Sequence, residues 1–150
     1  EWTKLSDVVI FMDADLQHPP EKVGEIAIKL NEFSIVVGER RRIIKEWGVF
    51  RRIMSITAIL LGRLRLMNRV DCKDIVSGFF GVRTDLFQYF IKMHKDSFEN
   101  KGYKVLFDLL KLVKRGTKIG SIKYDFFIRE KGQSKIGKKH IFVYFKSLLK

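Results

Sequence analysis

The N-terminal part of the chain contains an apolar run, a helical pattern and a second apolar run, and this order constrains the fold most. The first run, 7–12, ends at Asp13, and the second run, 34–38, ends at a glycine. Between them, residues 21–32 place apolar side chains at helical spacing. A strand, a helix and a strand within about thirty residues are typical of a βαβ unit. We therefore predict an α/β fold in which these two strands are buried and parallel.

The remaining patterns extend this prediction to one layered α/β structure. Helices are predicted over residues 50–67, 84–94, 103–115 and 140–150, and strands over 75–82 and 118–128. Thr84 is a residue type that often caps a helix N-terminus, and it stands at the start of the second of these helices. Because no internal repeat, low-complexity tract or linker interrupts the pattern, we expect a single unit.

The formal net charge of +13 indicates an anionic partner. Nucleic acid, an acidic membrane surface and phosphorylated substrates all fit this charge, and charge alone does not choose among them. The longest apolar run, 53–61, is too short to cross a bilayer, so we expect no span in this piece. One cysteine, Cys72, excludes an internal disulfide framework.

Two carboxylates, Asp13 and Asp15, follow directly after the first predicted strand. Open α/β sheets bind ligands at this edge, where the two side chains can converge. Hard oxygen ligands suit Mg²⁺ or Mn²⁺, which keep other positions for water and substrate phosphates, and Gln17 is placed to add a neutral oxygen. A turn with solvated aspartates is the alternative, and the pair by itself leaves both interpretations open.

The residues around this pair resemble those of a known family. The run FMDADLQHPPE, 11–21, resembles the Asp-x-Asp segment of family 2 glycosyltransferases with the GT-A fold. Its form is especially similar to dolichol-phosphate mannose synthases and related polyprenyl-phosphate glycosyltransferases. The resemblance implies an α/β fold with a GT-A-like mixed sheet flanked by helices. It also implies that Asp13, Asp15 and Gln17 hold Mg²⁺ or Mn²⁺ against the nucleotide diphosphate, with Asp15 a catalytic residue, whereas His18 is expected to be a turn residue.

Two basic segments resemble the parts of this family that bind the lipid phosphate. The run VVGER, which ends at Arg40, is similar to a strand that ends Val-Gly-Ser-Arg in many members, with Glu39 in place of the small residue. The run WGVFRRIMS, which ends at Ser55, resembles a segment with a tryptophan, a basic pair and a serine. The resemblance implies that Arg40, Arg51 and Ser55 bind the acceptor. For the neighbouring arginines we prefer a solvated basic surface.

A third segment, DIVSGF, resembles the family's Asp-Pro-x-Ser-Gly-Phe-Arg run beside the sugar. Here Ile75 replaces the proline and Phe80 replaces the arginine. The resemblance implies that Asp74, Ser77 and Gly78 bind substrate, and we assign Asp74 to positioning of the donor sugar. A general base is dispensable, because a phosphate monoester is already largely dianionic at neutral pH and is its own nucleophile.

The fourth segment, FFIREKGQSK over 126–135, resembles the Phe-x-x-Arg-x-x-Gly-x-Ser-Lys signature that closes the catalytic domain in this family. The resemblance implies that Arg129 acts in catalysis and that Lys135 binds substrate, because both can neutralise the leaving diphosphate. Just upstream, Ser121 and Lys123 stand where relatives often have Glu and Pro.

These roles predict that residues 1–150 are the C-terminal part of a family 2 catalytic domain whose nucleotide-binding half is missing. The expected reaction is metal-dependent transfer of mannose from GDP-mannose to dolichyl or polyprenyl phosphate. Two alternatives stay open: transfer of glucose from UDP-glucose, and an inactive fragment that acts only as a basic membrane- or nucleic-acid-binding module.

The expected partners are the nucleotide-sugar, the polyprenyl phosphate and an anionic membrane surface, and no nucleic acid is expected. Residues 140–150 mix aromatic, leucine and lysine side chains, which suits a helix that lies at the membrane interface. We expect a peripheral position on the cytoplasmic face of a membrane, with transmembrane segments, if the parent protein has them, beyond residue 150.

Overall fold

The structure, a computed structural model, describes residues 7–15, 17–41, 49–66, 70, 72–94 and 105–126, with side chains in the second helix described at 56–57 and 59–66 only. In chain order its elements are strand β1 (Val8–Phe11), a 3₁₀ turn (Pro20–Lys22), helix α1 (Val23–Lys29), β2 (Ile35–Arg40), α2 (Val49–Leu66), β3 (Phe80–Arg83), α3 (Thr84–Met93), α4 (Val105–Leu112) and β4 (Ile119–Tyr124). Most of the fourth motif segment, from residue 127 on, and the predicted helix at 140–150 lie outside the described residues.

The described strands form one mixed sheet in the spatial order β1-β3-β2-β4. Strand β3 pairs antiparallel with β1 on one side and with β2 on the other, whereas β2 and β4 are parallel. This mixed sheet with helices confirms the predicted fold class. The first two strands run in the same direction, as predicted, but they are not neighbours, because β3 lies between them. Strand β1 is also only half-buried.

Gly81, in the middle of β3, lies directly beneath the helix that connects β1 to β2. A Cβ added at Gly81 would lie 2.5 Å from Ile26 Cγ2 and 2.8 Å from Leu30 Cδ1. Helix α1 therefore packs directly on the backbone of β3. A strand-helix-strand pattern does not record whether a third strand lies beneath its helix, so the sequence did not predict this strand order.

Apolar side chains cover both faces of the sheet. Ile35 and Val37 of β2 belong to a core cluster that includes residues of α3 and α4. Val36, between them, belongs to a second cluster with Ile26 and Leu30 of α1. Since successive strand residues point to opposite faces, three consecutive apolar residues of β2 are all buried. Strand β2 is thus held by apolar packing on both faces, and this packing fixes the position of Glu39 and Arg40 at its end.

The predicted strand at 75–82 is in fact shorter and begins later. Strand β3 starts at Phe80, and the residues before it form a turn in which the Ser77 N–H donates a hydrogen bond to the Asp74 carbonyl oxygen (3.2 Å). Ile75 is fully buried within this turn. Because a buried apolar residue in a turn looks like a strand residue in the sequence, Ile75 led to the prediction of a strand that begins too early. At the other end of the chain β4 likewise occupies only the first part of the predicted range.

The predicted helices within the described ranges are confirmed as helices, but Thr84 does not cap α3. Arg83 takes the N-cap position, with extended backbone at φ −63° and ψ 135°. The Thr84 hydroxyl is instead buried, and it has no hydrogen-bond partner within the described residues. Helix α3 therefore begins at Thr84 itself, one residue earlier than if Thr84 were the cap.

Helix α2 is 18 residues long, and it leaves Ile56, Leu60 and Leu64 exposed along one side. These positions are four apart, so they lie on one helix face. In the ranges that the structure describes, no helix combines the length and the apolar character needed to cross a bilayer.

Replacing Gly81 with alanine should destabilise the fold, because the new methyl group must displace Ile26 or Leu30 of α1. Overpacking of this kind costs about 1–3 kcal/mol in the free energy of unfolding, which urea denaturation measures. Gly24→Ala is the matched control: nothing lies within 4 Å of its Cβ position, and alanine favours a helix. Equal stabilities of the two variants would contradict the described packing of α1 on β3.

Candidate active site

The register between β1 and β3 brings two of the predicted motifs together. Phe11 pairs with Phe80 at the ends of the two strands. The same antiparallel register, continued by two residues, sets Asp13 opposite Gly78. A Cβ added at Gly78 would lie 2.9 Å from Asp13 Oδ2 and 3.6 Å from His18 Cε1. Glycine at position 78 thus leaves room for the carboxylate of Asp13 against the turn backbone.

The segment that follows Asp13 is held compact by short-range hydrogen bonds. The Gln17 N–H donates to Asp15 Oδ1 (3.2 Å), and the Asp13 N–H donates to His18 Nδ1 (3.3 Å). Asp13 is exposed, Asp15 is half-buried and Gln17 is buried. The three oxygen-bearing side chains proposed as metal ligands therefore lie on one tight loop at the end of β1, with a carboxylate at its surface.

His18 anchors this loop to the sheet. Its ring is buried and contacts the rings of Phe79 (5.4 Å between centroids) and Phe126 (5.3 Å). Burial lowers the pKa of His18, although the nearby carboxylates of Asp13 and Asp15 partly oppose this effect. A neutral imidazole can accept the Asp13 N–H at Nδ1, so the environment of His18 agrees with its hydrogen bond.

Arg40 and Asp74 form a bidentate ion pair at the end of β2. Arg40 Nε lies 2.6 Å from Asp74 Oδ2, and Arg40 Nη2 lies 2.9 Å from Asp74 Oδ1. Both side chains are largely buried, with 16% and 9% exposure, and the guanidinium stacks 5.6 Å from the ring of Phe126. Burial opposes the charge of Arg40, but the hydrogen bonds and charge of Asp74 outweigh it and raise the pKa of Arg40.

This pair changes the interpretation of both residues. The sequence assigned Arg40 to the acceptor phosphate and Asp74 to the donor sugar, as separate contacts. In the structure Asp74 binds one edge of the Arg40 guanidinium, through Nε and Nη2, and so determines the direction in which the group points. Two fork-like hydrogen bonds leave little freedom of rotation, because both must stay aligned at once.

The turn after Asp74 uses the hydroxyl of Ser77 internally. Ser77 Oγ donates to the Phe79 carbonyl oxygen (3.1 Å) and accepts from the Phe79 N–H (3.2 Å), and the residue is buried. The turn thus runs in a fixed path from Asp74 past Gly78 to β3. It connects the Arg40 pair directly to the backbone that faces Asp13. The predicted substrate contact of Ser77 stays a prediction.

A cavity of about 630 Å³ opens at this end of the sheet. Its lining residues are Glu39, Arg40, Arg41, Ile59, Lys73, Asp74 and Lys123. Only Arg40 and Asp74 among them were proposed as site residues from the sequence; the other five are Glu39, Arg41, Ile59, Lys73 and Lys123. The sequence signal that could have identified Glu39 is its carboxylate, which interrupts an otherwise apolar predicted strand just before Arg40.

Several predicted site residues have no described side chain. Arg51 and Ser55 lie on α2, two turns and one turn before Ile59, which lines the cavity. Arg129 and Lys135 lie outside the described residues. Within the described ranges, no three His, Cys, Asp or Glu side chains group in a way that could hold a metal ion. The donor set of Asp13, Asp15 and Gln17 supplies two carboxylates and one amide oxygen, which suits a hard cation that retains water ligands.

Comparison with known proteins identifies the class. Residues 5–90 match the model of the family described as Glycosyl transferase family 2, and the chain belongs to that family. The matched region includes the Asp13 loop, the Arg40–Asp74 pair and the turn that ends at β3.

The chain is also similar to individual members. It is 35% identical to a dolichol-phosphate mannosyltransferase of Pyrococcus furiosus over 95% of this chain and 40% of the relative. It is 36% identical to a dolichol-phosphate mannosyltransferase of Mycosarcoma maydis over 94% of this chain and 47% of the relative. An undecaprenyl-phosphate mannosyltransferase of Micrococcus luteus is 28% identical over 87% of this chain and 53% of its own length. The chain thus spans about half the length of the relatives it matches.

A double-mutant cycle on Arg40 and Asp74 should reveal strong coupling. Removing one partner leaves the other charge buried, so Arg40→Ala or Asp74→Ala should each cost about 3 kcal/mol in unfolding free energy, and the double variant far less than their sum. The exposed pair Arg83 and Asp85, paired at 3.1 Å, is the control and should couple more weakly because water screens it. Additive effects at Arg40 and Asp74 would contradict the described ion pair.

Proposed function

We propose that the chain forms the metal- and phosphate-binding part of a glycosyltransferase that moves mannose from GDP-mannose to dolichyl or another polyprenyl phosphate. The observation that supports this most is the buried Arg40–Asp74 pair beside a cavity, joined by one turn to the backbone against which Asp13 lies. The similar proteins are mannosyltransferases that act on dolichol phosphate or undecaprenyl phosphate by name, and we take the sugar and the class of acceptor from them.

The proposed reaction needs an anion-binding site more than it needs a base. An oxygen of the acceptor phosphate attacks the anomeric carbon of the donor sugar, and the bond from that carbon to the nucleotide diphosphate breaks. Because the phosphate is already largely dianionic at neutral pH, no proton has to be removed. The site must instead hold two highly charged groups close together, which cationic side chains favour.

Arg40 is the described cation best placed to bind the acceptor phosphate. It lines the cavity, and Asp74 holds its guanidinium in a fixed orientation. We propose that Arg51 and Ser55 add contacts to the same phosphate from α2, since Ile59 of that helix already forms part of the cavity wall. Asp74 then acts on the acceptor through Arg40, in addition to any contact with the donor sugar.

The donor diphosphate is proposed to lie at the loop after β1. A divalent cation held by Asp13, Asp15 and Gln17 would neutralise the charge that develops on the leaving diphosphate. Asp15 already uses Oδ1 to accept the Gln17 N–H, so the loop conformation keeps its carboxylate in place. We propose that Arg129 and Lys135 bind the same diphosphate, and that Gly78 and Ser77 shape the adjoining surface for the sugar.

The larger context is also a proposal. Residues 1–150 would form the C-terminal part of the catalytic domain, because residues 126–135 resemble the segment that closes this domain in the family. The chain covers 40–53% of the length of the relatives. The acceptor phosphate is carried by a lipid, so the cavity must open near a membrane surface. The net charge of +13 favours a peripheral position on an anionic leaflet, which we place on the cytoplasmic face.

Replacing Asp15 with asparagine tests the metal assignment without disturbing the loop, because asparagine retains an oxygen that can accept the Gln17 N–H. In the full-length protein, transfer of radiolabelled mannose from GDP-mannose to extracted lipid should fall at least about a hundredfold. Asp7→Asn, an exposed carboxylate just before β1, is the matched control and should leave transfer unchanged.

Chelation is the second arm of the same experiment. Excess chelator should stop transfer by the unaltered protein, and added Mg²⁺ or Mn²⁺ should restore it. Full activity of Asp15→Asn, or full activity in chelator, would show that these residues do not bind a required cation.

A further inference from the structure

Glu39 is a buried carboxylate whose role the proposed reaction does not explain. It lies in β2 between Gly38 and Arg40 and is 7% exposed. A charged side chain at such a depth must be hydrogen-bonded or paired. Glu39 Oε1 accepts the N–H of Lys73 at 2.8 Å. The next residue along that segment is Asp74, which binds Arg40.

Two consecutive residues of β2 therefore hold two consecutive residues of the segment that leads into the active-site turn. Glu39 binds the backbone at Lys73, and Arg40 binds the side chain of Asp74. Successive side chains of a strand point to opposite faces, so Glu39 and Arg40 contact this segment from different sides of β2. If the contact at Glu39 were lost, the peptide between Cys72 and Lys73 could rotate, and because Asp74 is the next residue, its carboxylate would no longer stay aligned with Arg40.

The position of Lys123 supports a specific role for Glu39. Residue 39 departs from the small residue of the family pattern, and Lys123 departs from its proline. The structure sets the two in register across the parallel strands β2 and β4, and both line the same cavity. A cation at this position limits the repulsion that the carboxylate would exert on a phosphate in the cavity.

We propose that Glu39 is a positioning residue for the acceptor phosphate: by fixing the backbone at Lys73 it aligns Asp74, and through Asp74 it aims Arg40 into the cavity. The proposal rests on the proposed function, since it assumes that Arg40 binds a phosphate. In this proposal, the acceptor oxygen of Glu39 aligns Asp74 and Arg40, and the negative charge of Glu39 is not required. Removing the oxygen should therefore weaken phosphate binding, whereas removing only the charge should not.

Three variants of the full-length protein test this role. Glu39→Met keeps the length of the side chain but removes the acceptor, and Glu39→Gln keeps an acceptor oxygen but removes the charge. Glu25→Met removes a carboxylate that pairs with Lys22 on α1 and is the matched control. Calorimetry measures the binding of farnesyl phosphate, a short polyprenyl phosphate, and thermal unfolding confirms that each variant is folded.

The dissociation constant for farnesyl phosphate should rise about tenfold in Glu39→Met, as expected when one hydrogen bond in a buried network is lost. It should stay within about twofold of the original value in Glu39→Gln and Glu25→Met, because these keep the contact or lie away from it. In transfer assays the KM for the acceptor should rise in Glu39→Met, while the KM for GDP-mannose stays unchanged.

Unchanged binding in Glu39→Met would overturn the proposal, and so would equal weakening in Glu39→Gln and Glu39→Met. An unaltered protein that binds no farnesyl phosphate would also overturn it. Failure of the proposed function has a different signature. In that case the variants would show the expected binding pattern, but the unaltered protein would transfer no mannose to polyprenyl phosphate.

Discussion

The pairing of β3 with both β1 and β2 is the constraint on which the rest of the structure depends. Because β3 is antiparallel to its two neighbours, the turn before it passes the ends of both: Phe80 pairs with Phe11, the last residue of β1, and with Val37, three residues before the end of β2. The turn that enters β3 consequently meets Asp13 on one side and Arg40 on the other. A strictly parallel sheet would have placed this turn at the opposite edge, away from both.

The charged side chains around this turn are mostly buried. Arg40, Asp74 and Glu39 are each withdrawn from water, and each has a partner that offsets the cost of desolvation. The result is a guanidinium with a defined orientation in a cavity that also presents Lys73 and Lys123. A site for two phosphorylated substrates needs such fixed cations, since a flexible surface charge would lose much of its effect to water.

Apolar periodicity in the sequence predicted the fold class and the helices within the described residues. Local motifs picked out the Asp13 loop, Arg40 and the turn after Asp74, which the structure brings together. The sequence did not predict that β3 separates β1 from β2, since the steric reason, the bare backbone at Gly81, appears only when α1 is packed on it. The partnership of Arg40 with Asp74 was missed for a related reason. Each residue belongs to a motif with its own implied ligand, and only the tertiary structure joins them.

We propose that a lipid phosphate is the nucleophile that receives mannose in the cavity beside Arg40. The most direct measurement offers the full-length protein radiolabelled GDP-mannose or UDP-glucose together with dolichyl phosphate or unphosphorylated dolichol, and follows label in the extracted lipid. Label should move only from GDP-mannose and only to dolichyl phosphate, because the alcohol would require a base to remove its proton. Equal labelling of dolichol, or no labelling of dolichyl phosphate, would contradict the account.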